Sequence, residues 1–284
     1  MLSRLKHSVA YVTLKEAKKA ALRKIKLRRY LGDQHCCPVC DTHLRSFKPI
    51  WKSFLRKAEE YDFAYPISSI ETFNLEAYSC PACDASDRER LYMLHLNSVL
   101  PTLDRAVRHR IVEFAPSLAL SRKLRRHPLL DYRNADLFRR TVDDRIDITD
   151  MRPYADNSLD MFVCSHILEH VPDDRKAMRE LFRVLKPGGF GIVMVPLVHG
   201  VDETHEDPAI NTEALRWKYY LSGDHVRQYG KRDFPARLRA AGFQVDQLGI
   251  DWFGAEAFQR AGIAADSILY VVRKSGGLPP SANP

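Results

Sequence analysis

Long apolar runs are missing from this sequence. No stretch reaches the roughly 18 residues that a bilayer-spanning helix needs. The first residues also lack the apolar segment and small-residue cleavage site of a secretory signal. A cytoplasmic location is therefore expected, with the six cysteines as thiols or metal ligands rather than disulfides. No internal repeat is present, which sets aside a repeat array. Acids are almost absent from residues 1–30, where ten Lys and Arg face the single Glu16. Those residues contribute +9 to a total of +8, so the other 254 residues sum to −1. The basicity belongs to a leader, and it gives no reason to expect that the body binds nucleic acid.

What is present suits one good-sized domain plus an appendage: 284 residues, 45% of them hydrophobic. Residues 1–30 are rich in Ala, Leu, Lys and Arg, with no Pro or Gly before Gly32, and read as helix. Leu2, Leu5, Val9 and Val12 lie on one face, and Leu14, Ala21, Leu22 and Ile25 on a nearly opposite one. Such a leader suits an anionic membrane surface, here the inner one, or RNA. It equally suits a solvated helix or one packed on the body. The tail, residues 275–284, is rich in Gly, Pro and Ser and is expected to be disordered.

Residues 31–100 hold two knuckles, Cys37-Pro38-Val39-Cys40 and Cys80-Pro81-Ala82-Cys83. Two such pairs suit a tetrahedral zinc site formed by Cys37, Cys40, Cys80 and Cys83, each tight turn aiming two sulfurs at one point. Cys36, His35 and His43 stand nearby as spare donors. Between the knuckles, Phe47, Trp51, Phe54, Tyr61, Phe63, Tyr65, Phe73 and Tyr78 are interleaved with Lys48, Lys52, Arg56 and Lys57. That mixture can stack bases. It can also fill the core of a small module poor in aliphatic bulk, which is the reading we favour. A connecting helix is expected over Arg88–Leu100, stopped by Pro101.

From residue 101 to 274 short apolar runs alternate with amphipathic stretches. Strands are expected over Arg110–Phe114, Leu130–Asn134, Leu159–Cys164, Phe190–Val195, Phe243–Gly249 and Ile268–Arg273, with a short one near Arg145–Ile148. A helix is expected over Arg175–Leu185, where Ala177, Met178, Leu181, Val184 and Leu185 share a face before Lys186-Pro187-Gly188-Gly189 stops it. A strand–helix–strand crossover of this kind demands a parallel sheet.

The wording of this region resembles class I S-adenosylmethionine-dependent methyltransferases, especially the type 11 group. The matching residues are Asp147-Ile148-Thr149, Asp156 to Asp160, His166-Ile167-Leu168-Glu169-His170-Val171-Pro172-Asp173, and Arg183 to Gly189. The resemblance implies a Rossmann-like seven-stranded sheet with helices on both faces, and S-adenosylmethionine as cofactor. In that family the first strand ends in an acid and a Gly-x-Gly loop. Here Glu113 supplies the acid, but Ala115 and Ser117 stand where glycine is usual. A subgroup bearing paired Cys-x-x-Cys knuckles carries a Phe-Ala-Pro loop at this point, and the likeness to it runs over about residues 37–273.

By the same resemblance Asp136 would accept from the ribose hydroxyls, Asp147 from the adenine amino group with Ile148 flanking the ring, and Ser165 and His166 would face the methionine end. Either aspartate could instead be a turn or helix-capping carboxylate, and His170 could brace a loop. Nearer the C-terminus, Thr204 to Asp207 and Asp224 to Gly230 lie where this fold builds its substrate lid, and His225, Arg227 and Tyr229 offer a base, a cation and a phenol. Methyl transfer needs positioning and at most one base, for which His225 and His205 are the candidates.

The expected function is methyl transfer to a small molecule, sugar or glycan. The alternatives are an RNA methyltransferase that binds through the zinc module and leader, and a module that kept the fold and lost the chemistry. Retention of Glu113, Asp136 and Asp147 argues against the last. The absence of an Asn-Pro-Pro-Tyr-type tetrapeptide after the fourth strand disfavours methylation of nucleobase amines. The acceptor atom and the oligomeric state are not written in the sequence.

Overall fold

The computed structural model describes residues 25–276. The apolar runs anticipated from sequence all form strands of one seven-stranded sheet. They are β3 (His109–Phe114), β4 (Leu130–Asp136), β5 (Asp144–Arg145), β6 (Leu159–Ser165), β7 (Leu185–Met194), β8 (Gln244–Leu248) and β9 (Leu269–Arg273). Their order is β5-β4-β3-β6-β7-β9-β8. All neighbours are parallel except that β9 runs antiparallel to β7 and β8. This is the Rossmann-like seven-stranded sheet that the sequence led us to expect. Its central strands are apolar on both faces because helices cover both, and Ile111, Val112, Phe162 and Ile192 are wholly buried. β7 has room for no side chain at Gly191, where a Cβ would meet the Phe162 ring at 2.2 Å.

Among the described residues the longer helices are α1 (Lys52–Glu60), α2 (Asp87–Val99), α3 (Leu118–Arg125), α4 (Asp174–Val184), α5 (Glu213–Tyr220) and α6 (Asp233–Ala240). α4 begins on Asp173, whose side chain accepts from Lys176 N. It stops one residue before the expected end. Leu185 is already extended and pairs with Leu159, so Lys186 to Gly189 open β7 rather than precede it. The Lys186 ammonium then reaches the Asp160 carboxylate at 2.8 Å. This longer edge is where the strand differs from the one expected at Phe190.

The cysteine-bearing segment is not a separate body. Two short antiparallel strands, β1 (Leu31–Cys36) and β2 (His43–Leu44), flank the first knuckle. Cys37, Val39, Leu44, Phe47 and Cys80 belong to the same hydrophobic core as the sheet. Arg90 on α2 joins the parts. It is completely buried, lies 3.9 Å over the Phe47 ring, and donates to the carbonyls of Tyr78, Ala85, Ala261 and Gly262.

The aromatic insert packs as core, in line with the favoured reading. Phe54, Tyr61, Phe63, Tyr65 and Phe73 gather around Ala58, Ile70, Val198, Trp217 and Leu221, and Tyr61 stacks on Trp217 at 5.8 Å. Among the cations, Lys48 pairs with Asp84 and Lys57 with Glu213. The leader, for which helix and a surface role were expected, lies outside the described residues up to position 24, and residues 25–28 are helical. Most of the tail, residues 277–284, also lies outside them. Among the described residues no helix is long and apolar enough to cross a membrane.

Candidate active site and metal centre

The two knuckles repeat one geometry. In the first, Cys37 N donates to Thr42 O and Asp41 N to Cys37 O; in the second, Cys80 N donates to Ala85 O and Asp84 N to Cys80 O. Asp41 and Asp84, the residues after each second cysteine, both take a left-handed φ, 56° and 64°. The four sulfurs converge within 4.8 Å of one another, with Cys37 to Cys83 and Cys40 to Cys80 each at 3.8 Å. A tetrahedron with Zn–S bonds of ~2.3 Å has edges of about 3.8 Å, so this donor set fits zinc. Cys36, His35 and His43 are not part of the cluster. His35 Nδ1 donates to the backbone carbonyl of Gln259 at 2.8 Å instead, and His43 lies 3.3 Å from Asp33.

Chain order reverses between β3 and β6, which are neighbours in the sheet although β4 and β5 lie between them in sequence. Ligands of open α/β sheets sit at the carboxyl ends of such strands. Both strands here end in a non-glycine residue with positive φ, Ala115 at 49° and His166 at 54°. That conformation costs about 1–2 kcal/mol per residue and gathers at functional sites. Ala115 thus makes its left-handed turn without glycine.

A cavity of about 270 Å³ opens between these two ends, lined among others by Glu113, Ala115, Ser117, Ser165 and His166. Glu113 braces the loop. Its buried carboxylate accepts from Ser117 N at 2.8 Å, Ser121 Oγ at 2.8 Å and Tyr132 Oη at 2.5 Å, and burial raises its pKa. Ser117 caps α3 by accepting from Leu120 N and donates its own proton to the Glu89 carboxylate.

The remaining wall comes from α2, which the sequence pattern presents only as a connector. Ser86, Arg88, Glu89 and Tyr92 all line the cavity. Arg88 Nη1 lies 2.7 Å from His166 Nε2, and the Tyr92 and Ser165 hydroxyls lie 2.6 Å apart. One signal was available: Ser86-Asp-Arg-Glu89 is a capping box, and both its reciprocal bonds are formed. Arg139, also missed, reaches back from beyond β4 to donate to Pro116 O at 2.6 Å.

Three expected cofactor residues are not in the cavity wall: Asp136, Asp147 and Ile148. Asp136 spends Oδ1 on the backbone N–H groups of Phe138 and Arg139, at 2.8 and 2.9 Å, and faces Arg139 Nε with Oδ2 at 3.5 Å. Asp147 accepts from both Thr149 N and Thr149 Oγ1 at 2.8 Å, and Ile148 is buried in the core.

Beyond His166 a second group of titratable side chains assembles. Glu169 is 1% exposed, with His166 Nδ1 at 3.1 Å and His225 Nε2 at 4.0 Å. Burial, with Arg88 adding to it, pushes His166 down to about 4, and burial also lowers His225. His225 Nδ1 hydrogen-bonds Tyr220 O at 2.7 Å, and the His170 and His225 rings meet edge to face at 4.6 Å.

The other two members of the expected trio are structural. Arg227 is buried and donates to the carbonyls of Leu168, Val171 and Pro172, while Tyr229 donates to the buried Asp174 at 2.6 Å. Together they clamp the segment after β6 to the segment around residues 225–229. His205 packs its ring against Tyr219 and Tyr220, and it is not among the cavity's lining residues.

Part of the chain is similar to known proteins. Residues 115–193 match the family model described as a methyltransferase domain. Over 100 residues the chain is 35% identical to the uncharacterized protein YafE of Escherichia coli strain K12, which covers 35% of this chain and 45% of that protein. It is 33% identical over 107 residues to the ubiquinone/menaquinone biosynthesis C-methyltransferase UbiE of Bartonella bacilliformis, covering 32% and 40% of the two chains. A solved S-adenosylmethionine-dependent methyltransferase from Archaeoglobus fulgidus superposes with a TM-score of 0.41 at 12% identity, over 65% of this chain and 92% of that one. The chain spans less than half the length of these curated relatives.

Proposed function

We propose that this protein transfers a methyl group from S-adenosylmethionine to a small-molecule, sugar or glycan acceptor. The observation that carries the reading is the cleft itself. The methyltransferase-domain match begins at Ala115 and includes Ser165 and His166, so both left-handed strand ends that frame the cavity fall within it. When bound, the cofactor supplies a methyl group on a positively charged sulfur. The chain's part is to hold it and to align an acceptor. Ala115 and Ser117 keep the loop small enough for close approach. Glu113 fixes the loop's shape, and Asp136 Oδ2, which faces Arg139 Nε at 3.5 Å without a hydrogen bond, would accept from a ribose hydroxyl. By the family resemblance Asp147 and Ile148 would border the adenine end, although neither lines the cavity, and Ser165 and His166 would border the methionine end.

Of the two candidate bases, His225 lies beside Glu169, which also neighbours His166, while His205 is packed against tyrosines. A zinc ion held by Cys37, Cys40, Cys80 and Cys83 serves structure here, as in the knuckle-bearing subgroup the sequence resembles.

Asp136→Ala tests the reading by calorimetry. S-adenosylmethionine or its demethylated product should bind the wild type at micromolar concentration and the variant 10- to 100-fold more weakly. This corresponds to about 1.5–3 kcal/mol for a charge-assisted hydrogen bond. Absence of binding by folded wild type would leave a module with the fold and no chemistry.

A further inference from the structure

Glu169 poses a problem that the cofactor cleft does not solve. It is 1% exposed, and neither carboxylate oxygen has a hydrogen-bond partner. His166 Nδ1 comes within 3.1 Å, but without hydrogen-bond geometry. A carboxylate buried without partners is costly, and such groups are normally paired or coordinate a metal. The Glu169 backbone is not free to swing away, because its carbonyl accepts from Val226 N at 2.8 Å.

Two imidazoles stand beside it. Glu169, His170 and His225 bring one ligand atom each within 4.8 Å of one another. Both histidines are oriented from behind. His225 Nδ1 bonds the Tyr220 carbonyl at 2.7 Å, so Nδ1 carries the proton and Nε2, which faces Glu169, keeps its lone pair. His170 Nδ1 meets the Asp224 carboxylate at 3.2 Å, and Ser222 Oγ holds that carboxylate in turn at 2.5 Å. A carbonyl and a carboxylate behind two imidazoles are the supports that metal-bound histidines usually have.

We propose that Glu169, His170 and His225 bind one divalent first-row transition ion, at a site distinct from the four cysteines. Two imidazoles and one carboxylate suit Mn²⁺, Fe²⁺, Co²⁺ or Zn²⁺, and three protein ligands leave coordination positions open. The His170 side chain is 35% exposed, and His166, which lies 3.1 Å from Glu169, also lines the cavity. His225 is then a ligand rather than a general base. If the proposed methyl transfer is right, an ion held by these residues would supply Lewis-acid polarisation of an acceptor oxygen. That consequence rests on the methyl-transfer reading; the ion site does not.

The test is titration of Mn²⁺, with Co²⁺ in parallel, into full-length protein carrying one zinc per chain, following free Mn²⁺ by electron paramagnetic resonance. One saturable equivalent is expected. Glu169→Gln and His170→Ala should each weaken it at least tenfold, and Asp224→Asn about tenfold, the usual cost of losing an outer-shell partner. Cysteine-bound zinc should not change. No saturable binding of either ion by folded wild type overturns the proposal, as does unchanged affinity in both ligand variants. Should Glu169→Gln fail to fold by circular dichroism, His170→Ala decides, because that side chain is partly exposed. S-adenosylmethionine affinity on the same samples separates the two readings. Wild type that binds Mn²⁺ but no cofactor keeps the ion site and loses the methyl-transfer reading.

Discussion

Single residues in this protein are set by their neighbours more than by their type. Glu113, near the end of β3, and Glu169, four residues past the end of the adjacent β6, are both buried carboxylates. One is satisfied by three donors and shapes a loop, while the other has histidines nearby but no hydrogen bond. His95 shows the same dependence in a titratable group. It lies on α2, 2% exposed, edge-on to Phe190 of β7, with neither ring nitrogen bonded. Burial, aided by Arg273 of β9 and opposed by Asp246 of β8, pushes its pKa down to about 4. Folded His95 is therefore neutral where the unfolded chain takes up a proton near pH 6.5. Stability is fully present above that pH and is lost as pH falls toward 4, by on the order of 3 kcal/mol. Urea unfolding at pH 7 and pH 4.5 checks this: the loss between the two should be smaller in His95→Leu than in wild type. Equal losses would mean that His95 carries no such linkage.

At the scale of elements, α2 carries the most consequence. Its N-terminus follows the second knuckle directly, with Ser86 three residues after Cys83. Its first two turns then supply Arg88, Glu89 and Tyr92 to the cavity while Arg90 ties down the knuckle loop. Metal at the cysteines should therefore be felt at the cofactor. Cys80→Ser should lose about one zinc per chain by metal analysis and melt lower, because metal binding contributes folding energy. It should also bind S-adenosylmethionine more weakly, although Cys80 does not line the cavity. Full zinc retention would remove the four-cysteine assignment. Zinc loss with unchanged cofactor affinity would show that α2 is held by its core contacts alone.

For the whole molecule the charge distribution makes a separate claim. The leader carries +9 and the rest −1, and near an anionic surface each Lys or Arg contributes about 1 kcal/mol, falling with salt. Protein starting at Leu31 should keep its cofactor affinity and lose salt-sensitive binding to anionic vesicles. The same measurement with RNA distinguishes the two surfaces, and full-length protein that binds neither at low salt would make the leader a solvated one. Truncation that abolishes cofactor binding would instead mean that the leader packs against the body.

The alternation of apolar runs with amphipathic helices was enough to locate all seven strands, because a two-sided parallel sheet needs continuous apolar stretches whatever surrounds them. The paired knuckles were equally legible, since a four-thiolate site is written as local turns. The linear pattern could not say that α2 roofs the cleft or that Arg139 reaches back to Pro116. Nor could it say that Arg227 and Tyr229 serve as clamps while Glu169 is stranded beside His170 and His225. Each of these depends on which atoms lie within about 3 to 4 Å across separations of up to tens of residues. Only the packed chain decides whether a buried charge finds a partner there.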